Sequence, residues 1–143
     1  MKKPKNKNTK AYQEWELQQL RKACLNLWKE VVKFRAGSRC EIPGCVAGPK
    51  GLQGHHILDE KLFIALRYDP ENGVCACPKN HKLGKESFHK NPIFAYEFLS
   101  KMRPASLCYL KEHCHDELII TKEYLVKQIV KLEILKETYK KIQ

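Results

Sequence analysis

No apolar run in this chain approaches the roughly 20 residues needed to cross a bilayer, and the first ten residues lack the apolar core of a secretory signal. These two absences argue against a membrane protein and for a soluble, cytoplasmic one. Disulfide-framework spacing is missing too. The seven Cys are odd in number and the close pairs stand beside His, so metal-bound or reduced thiols are expected. Acidic residues are scarce, 16 Asp and Glu against 27 Lys and Arg, for a formal charge of +11 and a pI near 9.4. The imbalance favours nucleic acid as partner over an anionic membrane surface. Nothing resembles a separate helix-turn-helix or finger array for reading bases, so low sequence specificity is expected.

What the chain does contain fits one compact domain with appendages. At 143 residues it can bury a modest core, near the size where a bound metal helps appreciably. Residues 1–11 form a flexible basic arm: Met1 to Lys10 carries five Lys and no acid, so it buries too little apolar area to order itself. It serves as a solubilising tail or as a phosphate contact. An N-terminal helix is expected over 12–36, because Leu17, Leu20, Cys24, Leu27, Trp28, Val31 and Val32 recur at helical spacing and Gly37 supplies a stop. Cys24 falls on that apolar stripe and is assigned to the core. Lys29, Lys33, Arg35 and Arg39 cluster where the helix ends, which suits its negative terminus; Arg35 and Arg39 are candidate phosphate contacts.

Between Cys40 and Lys61 the chain turns rich in Gly and Pro, implying loops and short strands. Asp69-Pro70-Glu71-Asn72-Gly73 signals a turn, Val74 to Cys77 a short strand, and Pro78 the start of a helix that Pro92 interrupts. Thiolates and imidazoles gather in this stretch. Structural zinc takes Cys and His as two close pairs separated by a longer loop. Cys40 and Cys45 form the first pair, and Cys77, at a helix start, is the third candidate. Where a second Cys would complete the other pair stands Asn80, a poor ligand. Cys75 is the best substitute, with His81 or His89 behind it.

His55 and His56 are adjacent, so on a strand their side chains diverge and cannot share one ion. Different tasks suit them better, one holding a cation and the other, with an ordinary pKa near 6.5, accepting a proton from water. Gly54-His55-His56-Ile57, then Asn72-Gly73-Val74-Cys75-Ala76-Cys77, then His81, resemble the motif of the HNH endonucleases in their ββα-metal fold, over about a third of the chain from Cys40 to Pro92. Leu27 to Val32 and Arg35 to Glu41 also resemble the lead-in of phage and mobile-element members.

The resemblance implies that His55 binds the catalytic divalent cation (Mg, Mn, Ni or Zn), that His56 is the general base, that Asn72 fixes the loop carrying the base, and that His81 is a second cation ligand. The Asn80 substitution departs from the family's thiol pattern but leaves the catalytic triplet intact. His89, eight residues beyond His81, lies about 80° off its helical face, so a shared cation requires a bend before Pro92. It is a further candidate for ligand or phosphate contact, or a surface residue. Lys82, Lys85 and Lys90 are candidate phosphate contacts, Lys85 the best because it lies one helical turn from His81.

The expected architecture is therefore α+β: the N-terminal helix, a zinc-supported ββα core over 37–92, and a C-terminal helical extension over 93–143. In the extension, Ile93 to Leu99 and the run from Thr121 through Leu135 are helical in period. These helices pack on the core, or the last one dimerises; monomer or weak dimer is expected. Cys108, His113, Cys114 and His115 fall in one expected helix without a second ligand pair and are read as core or surface. The function implied is metal-dependent DNA hydrolysis, nicking or cutting to leave a 5′-phosphate and a 3′-hydroxyl. The alternatives are a zinc-dependent nucleic-acid-binding module without catalysis, and a purely structural zinc site completed by the histidines.

Overall fold

The computed structural model describes residues 1–142. Its first helix, α1, spans Lys10–Arg35, with Thr9 as its cap accepting from the Tyr12 N–H. The helix thus starts earlier than the basic arm's expected end, and the Lys3 ammonium lies 5.4 Å from the Trp15 ring centroid. Cys24, Trp28, Val31 and Val32 are its buried stripe.

The last helix, α4 (Lys122–Ile142), lies along this stripe and inserts Leu125 and Leu132 into the same core. Lys122 pairs with Glu16 and Lys136 with Glu30, and the Lys140 ammonium covers the Phe34 ring. All three pairs are 106 residues apart in sequence, so α1 and α4 run parallel. Among the described residues, no helix is long and apolar enough to cross a membrane.

Between the helical layers sits a two-stranded antiparallel sheet, β1 (Gln53–His56) against β2 (Gly73–Ala76), in which His55 faces Val74 and His56 faces Gly73. β2 is buried at every position, and alternation sends its side chains to two separate cores. Cys75 joins the α1 and α4 core; Val74 and Ala76 join a second one with Leu66, Phe88, Phe98, Leu99 and Leu110. That second core is closed by α2 (Pro92–Met102) and α3 (Pro104–His113). The fold is α+β, as expected. Gly73 is required by the close approach of α1: a Cβ there would overlap Val32 Cγ2 and lie 2.9 Å from Trp28 Cζ2.

Three expectations are corrected. The helix foreseen between Pro78 and Pro92 is reduced to one π-type turn, Lys79–Leu83. The Gly84 N–H closes the turn on the Lys79 carbonyl, and the chain then folds back, Phe88 N–H bonding the Asn80 carbonyl and His89 N–H the His81 carbonyl. A Cβ on Gly84 would stand 3.0 Å from the Lys79 oxygen. α3, likewise, ends at His113, so Cys114 and His115 lie beyond it. Cys108 is exposed and Cys114 half-buried.

Arg35 is the other correction, since it is no free phosphate contact. Its guanidinium donates to the carbonyls of Pro70 (2.6 Å) and Gly73 (2.8 Å) and pairs with Glu41. Arg103 approaches the same Gly73 oxygen and joins Glu41 and Glu71, completing a partly buried ionic knot at the entry to β2.

Candidate metal centres and general base

His55, His81 and His89 converge. The Nε2 atom of His81 lies 3.1 Å from His55 Nδ1 and 3.1 Å from His89 Nε2, and the ligand atoms of all three fall within 4.8 Å of one another. β1 delivers His55, the π-type turn delivers the buried His81, and the folded-back segment supplies the bend that His89 needs. A single ring nitrogen carries either a proton or a lone pair, so His81 Nε2 cannot at once donate to one neighbour and accept from the other. A cation between the rings would instead take one lone pair from each of the three. Nitrogens at about 2.0–2.1 Å from an ion stand roughly 2.8–3.4 Å apart in octahedral or tetrahedral geometry, a range that includes both 3.1 Å spacings to His81.

The electrostatics keep these rings ready as ligands. Burial, aided by the neighbouring His81 and His89, lowers the pKa of His55 to about 3. Burial also lowers that of His81, with His89 and Lys82 adding to the effect. Neutral imidazole is the form that binds metal.

His56, as strand alternation requires, points away from this cluster. Its ring stacks on Trp28, and its Nε2 lies 2.8 Å from the Arg67 carbonyl oxygen. A carbonyl only accepts, so Nε2 carries the hydrogen and Nδ1 of the neutral ring keeps its lone pair. Burial lowers the His56 pKa, with the Arg67 carbonyl and Glu60 pulling the other way. Asn72 is fully buried; its Oδ1 accepts from the Leu58 N–H at 2.7 Å, while Nδ2 donates to the carbonyls of Leu58 (3.0 Å) and Leu66 (3.2 Å). It thereby clamps the loop between His56 and Arg67.

The thiols form a second group. Cys40, Cys45 and Cys77 lie within 4.8 Å of one another, with Cys45 and Cys77 sulfurs 3.7 Å apart. A tetrahedral zinc with Zn–S of about 2.3 Å places its sulfurs roughly 3.8 Å apart, so these residues fit the ion. Burial pushes the Cys40 thiol up, but hydrogen bonds from the Asn80 side chain and the Cys77 N–H outweigh it and leave the pKa lowered. Cys75 is corrected: it is absent from the group, fully buried in the α1 and α4 core, and burial raises its pKa to about 12.

No family model matches this chain, and no curated protein or solved structure matches it.

Of the expected phosphate contacts, Arg39, Lys82, Lys85 and Lys90 are exposed. Lys82 is near enough to depress the His55 and His81 pKa values. Lys90 bonds the Leu83 carbonyl. Lys85 follows the end of the π-type turn, so its expected helical relation to His81 does not hold. Sequence reasoning missed the supports of His56. Trp28 reads as an ordinary core residue of α1, and the Arg67 contact is a backbone carbonyl with no side-chain signature.

Proposed function

We propose that the chain is a divalent-metal-dependent DNA endonuclease of the HNH type. The observation that carries this reading is the division of labour between His55 and His56. Neighbours in sequence, one faces two further imidazoles and the other holds an unprotonated Nδ1 with its opposite nitrogen tied to a carbonyl.

His55, His81 and His89 would hold the cation, which when bound polarises the scissile phosphate and stabilises the leaving oxygen. His56 takes the proton of the attacking water at Nδ1, and the Arg67 carbonyl steadies the imidazolium that results. Asn72 keeps the Arg67 loop in place. Lys82 and the remaining exposed Lys and Arg attract the DNA backbone, a salt-sensitive interaction consistent with the charge of +11. Cys40, Cys45 and Cys77 would hold a separate zinc that takes no part in cleavage.

Nicking of supercoiled plasmid tests the reading, in Mg²⁺, Mn²⁺, Ni²⁺ and Zn²⁺ in turn. Wild type should yield nicked circles and His56→Ala should not. Equal behaviour of the two proteins in every metal refutes catalysis and leaves a zinc-dependent nucleic-acid-binding module.

A further inference from the structure

Structural zinc sites are closed by four protein ligands, whereas sites that exchange a ligand keep one position open. The thiol group here has three candidate ligands and a polar substitute beside them. Asn80 is buried, and its Nδ2 lies 3.4 Å from Cys40 Sγ; the Cys77 N–H lies 3.4 Å from the same sulfur. Both are donors, and a donor aimed at a sulfur stabilises a thiolate without occupying a place on the metal. Cys75, the one remaining nearby thiol in the strand, is committed to the core. A cavity of about 400 Å³ lies against Cys45, Cys77 and Asn80 and is lined also by Lys79. Arg39 lies with Cys40 and Cys45 along a second cavity. The thiol group is therefore bordered by two cavities that meet at Cys45, and each has a cationic side chain in its lining.

We propose that Cys40, Cys45 and Cys77 form an open three-thiolate site for a thiophilic divalent cation, in which Asn80 bonds Cys40 instead of ligating and the fourth position admits a small exogenous ligand. The proposal rests on the assignment of a metal to these thiols and is independent of DNA cleavage. Water fills the position by default, and small thiols or imidazole displace it. Three thiolates leave the bound cation with a net negative charge that Lys79 and Arg39 partly offset.

Cobalt(II) is the probe, because its sulfur-to-metal charge-transfer absorption scales with the number of bound thiolates and the histidine centre contributes nothing to it. Wild type should absorb at about three-quarters of the intensity of Asn80→Cys, the variant that supplies a fourth thiol. Cys75→Ala should match wild type, and this comparison stands even if Asn80→Cys does not fold. Added imidazole should shift the ligand-field bands of wild type but not those of Asn80→Cys. Wild-type intensity equal to that of Asn80→Cys, a loss of about one quarter in Cys75→Ala, or ligand-field bands indifferent to imidazole would each overturn the open site. Absence of any charge-transfer band would overturn the thiol metal centre as well. Plasmid that stays intact would count against the nuclease reading alone and leave these optical results standing.

Discussion

The imidazole of His56 lies flat on the indole of Trp28, with ring centroids 3.8 Å apart and planes 3° from parallel. Trp28 is itself fixed, buried in α1 with its Nε1–H bonded to the Asp69 carbonyl at 2.8 Å. Stacking sets the plane of the His56 ring, and the Arg67 carbonyl sets its rotation within that plane. As the proposed base, a ring held on two axes would lose little entropy on meeting its water.

His56→Ala should therefore reduce nicking by about a hundredfold or more, the range for a positioned general base. Burial holds the His56 pKa below its usual value, so the neutral base persists on moderate acidification. The cleavage profile should stay level above roughly pH 6.5 and fall only on the acid side of it. An acid limb centred above pH 7 would show that another group is titrating.

Much of this was legible in the residues. The Gly- and Pro-rich stretch around Gly54-His55-His56 implies short strands, on which two adjacent imidazoles diverge, and the Leu20, Cys24, Trp28, Val31 stripe specifies an amphipathic helix whatever it packs on. The segment from Pro78 to Pro92 was not legible. Its spacing fits a helix, but Gly84 ends the first turn and the return bonds from Phe88 and His89 span eight residues, with no periodic signature. Arg35 misleads for a related reason: a basic side chain at a helix end looks solvated, and only the fold brings the carbonyls of Pro70 and Gly73 to it.

Arg35 and Lys82 should separate structure from phosphate affinity. Arg35→Met leaves Glu41 to Arg103 alone and takes the donor from the Pro70 carbonyl, while Gly73 keeps Arg103, and should cost about 3 kcal/mol. Lys82 is exposed, so Lys82→Ala should change stability by less than about 0.5 kcal/mol. It should nonetheless weaken DNA binding and lower the salt slope of log K by about 1. Urea melts beside binding isotherms at several salt concentrations give both quantities. Unchanged stability in Arg35→Met would mean the ionic knot contributes nothing net.

Acid should unfold the metal-free protein through its histidines. His55 has a folded pKa of about 3 against roughly 6.5 when unfolded, so the unfolded chain binds the proton first. The stability this group contributes is complete above about pH 6.5 and is lost as pH falls toward its folded pKa. His56 and His81 are depressed in the same direction and add to the effect. Melting temperatures measured between pH 7.5 and pH 4 should fall less steeply in His55→Leu than in wild type. Identical slopes would remove His55 from the acid response.

Asn72 separates the clamp from the metal centre. Its amide serves Leu58 twice and Leu66 once, and Asn72→Ala would leave these backbone groups without their partner in a buried place. The cost should be about 3 kcal/mol. Asn72→Asp keeps the acceptor for the Leu58 N–H but sets a carboxylate against two carbonyl oxygens, so it should rescue neither stability nor cleavage. The His55, His81 and His89 cluster does not depend on this amide, and Ni²⁺ titration followed by calorimetry should give wild-type affinity for the folded fraction of both variants. Cleavage should fall in both, because the loop carrying the Arg67 carbonyl is no longer held for His56. Wild-type nicking by folded Asn72→Ala would show that the clamp is dispensable to the base.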